Sequence, residues 1–194
     1  MECSDEPVDE DWISWFFSFA ENVTSEHMQR LWGKILAGEV KSPGSFSLRA
    51  LELIKTISKD EAETLSRVKK YITATKRVCF IWSIVVDNPK YDIVFDDIFN
   101  LTQAGIINET TPRAWGPHKY GNNITIQFGS KKLTIKKEFS NRIELFPCYG
   151  FTRAGYELST LIEPVENQPF FDEFLEELKK NGNLEDNEIE IIDL

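Results

Sequence analysis

The sequence predicts an α+β protein: N-terminal antiparallel helices, then a winged-helix-like unit with a β-hairpin, then an acidic C-terminal helix. Three observations carry that prediction. Apolar residues recur at helical spacing through the first third of the chain. The pattern switches at Val78 to β-branched and aromatic runs, some alternating with polar residues, and past Pro164 it returns to helical spacing with acids on the outer face. The expected divisions are a helical region over 1–76, the winged-helix-like unit over 77–163, and an amphipathic helix with its tail over 164–194.

Asp9 is placed to cap a helix from Glu10 to Glu21. That helix carries Trp12, Ile13, Trp15, Phe16, Phe17 and Phe19, more aromatic surface than one stripe needs, so it is buried on two sides or docks on a partner. Thr24 or Ser25 opens a second helix, in which Met28, Leu31, Trp32, Ile35 and Leu36 fall at i, i+3, i+4, i+7 and i+8. Gly38 then stands where a terminating residue belongs. After Pro43-Gly44, Ser45 caps a third helix through Ile57. Ser58 and Glu61 form a capping box for a fourth that reaches Thr75. Short links make these helices antiparallel neighbours.

VCFIWSIVV, from Val78, is a continuous apolar run and reads as a buried strand ended by Asn88-Pro89. FDDIFNLTQAGII reads as a helix with Gly105 past its end, and TTPRAWGPHKYGNN as a loop. ITIQF and KLTIK alternate apolar with polar across Gly129-Ser130, a hairpin in which Ile124, Ile126, Phe128, Leu133 and Ile135 face inward. RIELF adds a third strand, and Thr152 opens a helix through Ile162. QPFFDEFLEELKK then places Phe170, Phe171, Phe174, Leu175 and Leu178 on one helical face, with Gly182 ending it.

The glycine-rich stretch LWGKILAGEVKSPGSFSLR raises the question of a phosphate-binding loop. A Walker-type loop needs G-x-x-x-x-G-K-[ST] between a strand and a helix, so that consecutive N–H groups surround phosphates. Gly33-Lys34 has no glycine five residues earlier, is followed by Ile35, and lies inside a helical pattern. The stretch reads as a packed corner. Gly33 admits a neighbouring helix at about 1 kcal/mol of lost helix propensity, and Trp32 anchors the bend. The free N–H groups near Ser45, with Arg49 one turn on, are a candidate anion site.

The same residues carry a family likeness. DEDWISWFF and LWGKILAGEVKSPGSFSLRALELIKTISKDEAE resemble the signature of the bacterial family known as domain of unknown function 2806, most specifically over residues 9–66 and more loosely to Ile162. The resemblance brings no catalytic residues. More distantly, MQRLWGKILA, ISKDEAE, LTQAGII and FTRAG are similar to the plan of the abortive infection alpha family of phage-defence proteins. That likeness implies a bacterial or phage chain and a role in phage–host conflict.

Charge is unevenly placed. The net −10 divides into −6 over residues 1–11, +5 over 12–162 and −9 over 163–194. An acidic total argues against nucleic acid for the ends, not for the body. Two histidines, no H-E-x-x-H, no C-x-x-C and no G-x-S-x-G leave no signature for metal or serine chemistry. Acid pairs such as Asp96-Asp97 read as solvated surface. No cofactor is expected. The acidic start lacks a signal peptide's basic segment, no apolar run is long enough to cross a bilayer, and three scattered cysteines suit a reducing cytoplasm.

The expectation is therefore a non-enzymatic cytoplasmic interaction protein, self-associating or binding a protein partner through Trp12, Trp15, Phe16 and Phe19 or through Phe170 and Phe174. The alternative is a nucleic-acid-binding regulator. In it Arg113, Lys119, Lys131, Lys132, Lys136 and Lys137 follow phosphates along a basic wing, and Trp115 and Tyr120 stack on bases. Lysines on an edge strand also serve simply to prevent sheet-to-sheet pairing. The acidic tail, docked on its own domain, would mask such a wing.

Overall fold

Helix termini form where the sequence supplies side chains for orphaned N–H groups. The computed structural model describes residues 6–75, 79–116, 124–137 and 145–193. Helix α1 (Glu10–Ala20) begins where the Asp9 carboxylate accepts from Trp12 N–H at 2.8 Å. Helix α2 (Glu26–Lys41) runs through Gly38 without a break, so Gly38 is no terminator. Helix α3 (Leu48–Thr56) is capped by Ser47, two residues later than expected at Ser45. Helix α4 (Lys59–Val68) has the expected capping box: Glu61 N–H donates to Ser58 Oγ and Ser58 N–H to the Glu61 carboxylate. Past a 3-10 turn at Lys69–Tyr71 the helical reading to Thr75 fails.

There Ile72–Thr75 is strand β1, paired on both sides. Two ladders outweigh a helical propensity that β-branched Ile72, Thr73 and Thr75 make weak in any case. The sheet thus begins inside the region assigned to helices. Strand β2 (Cys79–Trp82) gives way to a 3-10 turn at Ser83–Val85, so of the described residues in this apolar run only Cys79–Trp82 are strand. Helix α5 (Phe95–Gln103) is followed by Gly105 at φ +76°. Within the segment expected to be a loop, Arg113–Trp115 is strand β3, held by β6 (Phe146–Gly150). Part of RIELF lies outside the described residues, and the strand there starts only at Phe146.

Hairpin β4 (Ile124–Phe128) and β5 (Lys131–Ile135) turns at Gly129-Ser130, with Phe128 opposite Lys131. Helix α6 (Arg153–Ser159) is capped by Thr152, and α7 (Gln168–Gly182) ends on Asn183 at φ +47° rather than on Gly182. The chain closes on strand β7 (Ile189–Asp193). Among the described residues the strands form one sheet in the order β3-β6-β2-β1-β4-β5-β7, each neighbour antiparallel.

Alternation along the strands assigns two faces. One carries Phe80, Trp82, Phe128 and Phe146, on which α7 lays Phe170 and Phe174; Trp82 meets Phe170 tilted and Phe174 edge-on, and Phe128 meets Phe170 tilted. The other carries Ile72 and Ala74, which line a small cavity with Tyr156, Ser159 and Thr160 of α6 and its end. Helix α3 packs on α6 and α1, and one apolar cluster runs from Trp12 to Leu184.

Candidate interaction surfaces

At the corner between α2 and α3, carboxylates of the chain itself occupy the amides that made Ser45 and Arg49 a candidate anion site. Glu39, 2% exposed, accepts from Gly44 N–H at 2.6 Å and Phe46 N–H at 2.8 Å. Glu157, 5% exposed, accepts from Ser47 N–H at 2.8 Å and Ser47 Oγ at 2.6 Å, and Arg153 supplies its counter-charge. Buried carboxylates persist where N–H donors and a cation replace their water. Arg49 is exposed, and Ser45 turns its hydroxyl to Ser42 O. Trp12 joins this corner, its Nε1 donating to Phe46 O at 2.7 Å, whereas Trp32 is buried with no partner for its Nε1 among the described residues. The packing glycine here is Gly38, where a Cβ would meet the Phe46 ring at 2.8 Å; at Gly33 it would meet nothing within 4 Å among the described residues, so none of the described helices approaches there.

The hairpin lysines are matched by the acidic tail, because β7 pairs with β5. Lys131 meets Asp193 at 2.9 Å, Lys136 meets Glu190 at 3.2 Å and Lys137 meets Glu188 at 3.4 Å. Its bond to Asp193 raises the Lys131 pKa, and the Glu185 N–H, then Lys137, lower that of Glu188. Among the described residues Lys132 has no such acid. Arg113 lies on β3 at the opposite edge and pairs with Glu109, so it does not extend the lysine patch. Lys119, Tyr120 and the Trp115 side chain lie outside the described residues.

Most of the aromatic candidates are core. Trp12 and Phe16 are each 4% exposed, and Phe170 and Phe174 lie at 1% or below on the chain's own sheet. Phe19 is half-buried under the Lys55 ammonium. Trp15 is the exception at 50%, joined by Phe17 at 60%. Sequence reasoning missed a second group: Val94, Phe95 and Phe99 on and before α5 are all exposed. The signal was there, because Phe95, Ile98, Phe99 and Leu101 span more than one stripe, and Ile98 and Leu101 take the core. Trp15 and Phe19 share a groove of about 520 Å³ with Arg49, Lys55, Ala104 and Gly105, so the end of α5 opens onto α1.

Acid groups elsewhere fasten elements together. Asp97 is buried, pairs with Arg67 and caps α5 through Val94 N–H, so it is no solvated surface acid. Glu173 ties α7 to the 90–91 turn through Lys90 and Tyr91, bonds that hold its carboxyl below the usual range. Among the described residues no group of three His, Cys, Asp or Glu side chains is disposed to hold a metal ion, and no helix is long and apolar enough to cross a membrane.

Residues 1–81 and 80–175 match the family described as protein of unknown function (DUF2806). The chain belongs to this family. In this DUF2806 member, residues 176–194, which include β7, lie beyond the matched span. No curated protein and no solved structure matches the chain.

Proposed function

We propose that this DUF2806 chain is a non-enzymatic interaction protein of a bacterial or phage cytoplasm, acting in phage–host conflict through protein–protein contacts. The observation that carries the reading is the exposure of Trp15, Phe17, Phe95 and Phe99 on α1 and α5, with Trp15 lining the α1–α5 groove, while the other aromatics of these helices are packed or half-buried. Large exposed aromatics are the usual anchors of a protein interface. The test is solution mass and cross-linking mass spectrometry, with Trp15→Glu and Phe99→Glu as probes. A partner or second copy whose capture is lost in both variants supports the proposal. A chain that stays monomeric, with every captured partner indifferent to both substitutions, overturns it.

A winged-helix-like nucleic-acid regulator is the second reading, favoured by the tail acids that sit on Lys131, Lys136 and Lys137. Removing residues 163–194 would strip Phe170 and Phe174 from the core, so the mask is better lifted by Glu188→Gln, Glu190→Gln and Asp193→Asn together. Salt-sensitive binding of DNA or RNA should appear in that triple variant and vanish on reversing Lys131, Lys132, Lys136 and Lys137. No binding by the triple variant at low salt removes this reading.

A further inference from the structure

Strand β7 closes one edge of the sheet: β5 lies on one side, and among the described residues no strand lies on the other. Natural edge strands are normally blunted by lysine, proline, a bulge or short length. Strand β7 pairs with β5 over five residues in continuous register, contains no lysine or proline, and leaves Ile191 and Ile192 43% and 46% exposed. Its acids would be the remaining deterrent, yet Glu188, Glu190 and Asp193 are each matched by a hairpin lysine.

Hydrogen-bond direction shows which residues offer free backbone groups. Lys136 N–H donates to Glu188 O at 2.8 Å, so residues 136 and 188 form a hydrogen-bonded pair of the ladder. Such pairs alternate with non-bonded ones, so Glu190 and Ile192 also turn their N–H and C=O toward β5. Ile189, Ile191 and Asp193 turn theirs to the open edge.

We propose that β7 pairs antiparallel with β7 of a second copy, about a twofold axis at Ile191. In that register Ile191 faces the partner's Ile191, and Ile189 faces the partner's Asp193. All three outward residues meet outward residues, and no acid opposes an acid. Shifting the axis to position 190 sets Glu190 against the partner's Glu190. Shifting it to position 192 leaves Ile189 without a mate in the partner's β7, and registers offset by a single residue set outward groups against groups already bonded to β5. The aromatic groove plays no part in this pairing.

The test is sedimentation equilibrium over a concentration series, combined with disulfide trapping. Wild-type protein should dimerise, and Ile191→Lys should weaken the dimer by about tenfold or more while leaving the β5 ladder intact. A hydrogen-bonded antiparallel pair sets Cα atoms about 5.5 Å apart, within disulfide reach. Ile191→Cys, in a Cys3→Ser background, should therefore cross-link on oxidation. Glu190→Cys, whose twin stands two positions out of register, should not. A chain that stays monomeric at every concentration overturns the proposal. So does a dimer that survives Ile191→Lys but falls to Trp15→Glu, an outcome that would instead favour the aromatic surface. Equal cross-linking of the two cysteine variants also overturns it.

Discussion

Two glycine-to-alanine changes, both inside helices, should act in opposite directions. Gly155 lies in the first turns of α6, where the segment 105–108 is clamped against 150–155. Thr152 N–H donates to Ile106 O at 2.9 Å, and Asn108 N–H to Gly150 O at 2.9 Å. A Cβ on Gly155 would fall far inside contact distance of the Ile106 carbonyl oxygen, and 2.8 Å from its carbonyl carbon and Cα. Backbone cannot rotate aside as a side chain can. The helix must lift, at an overpacking cost of about 1–3 kcal/mol and roughly 1 kcal/mol for a weakened Thr152 bond. Alanine's propensity gain, about 1 kcal/mol, offsets part of this. The expected net loss is about 2 kcal/mol, or roughly 4–8 °C in Tm for a chain of this size. At Gly33 nothing lies within 4 Å of the added methyl, so Gly33→Ala should gain about 0.5–1 kcal/mol. Urea and thermal melts followed by circular dichroism read both. A Gly155→Ala protein as stable as its parent would refute the close approach.

Two of the buried tryptophans, Trp12 and Trp32, make a second contrast. Trp12→Phe strands the Phe46 carbonyl and should cost about 1–3 kcal/mol more than Trp32→Phe, whose Nε1 has no partner to lose; equal losses in urea melts would contradict this. The tail should loosen in acid. Glu173 and Asp186 are held down by lysines, and Glu188 by the Glu185 N–H and Lys137. Because their folded pKa values lie below the unfolded ones, the stabilisation is complete above the ordinary carboxyl pKa of about 4 and fades as pH falls through the folded values. Carboxyl carbon NMR should show midpoints below the ordinary range, and midpoints at or above it would defeat the assignment. Burial pushes the Cys79 and Cys148 thiols up to about 12, so neither should react with a thiol reagent in native protein at neutral pH; rapid labelling before unfolding would contradict their burial.

The features legible in the sequence are those that neighbouring residues decide among themselves. The Asp9 cap, the Ser58–Glu61 box, the Gly129-Ser130 hairpin and the apolar face of α7 each depend on side chains within a few positions. The apolar stripe with Phe170 and Phe174 showed that α7 needed cover. The sequence by itself thus determined a mixed helix and strand protein with an acidic end able to lie on its own body.

Tertiary structure decided the rest, because burial, exposure and pairing are properties of neighbours distant in sequence. Ile72–Thr75 became a strand only because β2 and β4 flank it. Gly38 rather than Gly33 became the contact glycine because Phe46 folds back onto α2. The amides near Ser45 were lost to an external anion because Glu39 and Glu157, one before them and one far after, turn inward together. Trp12 and Trp15 look alike in a list of residues, yet three positions along α1 put one in the core and the other in water.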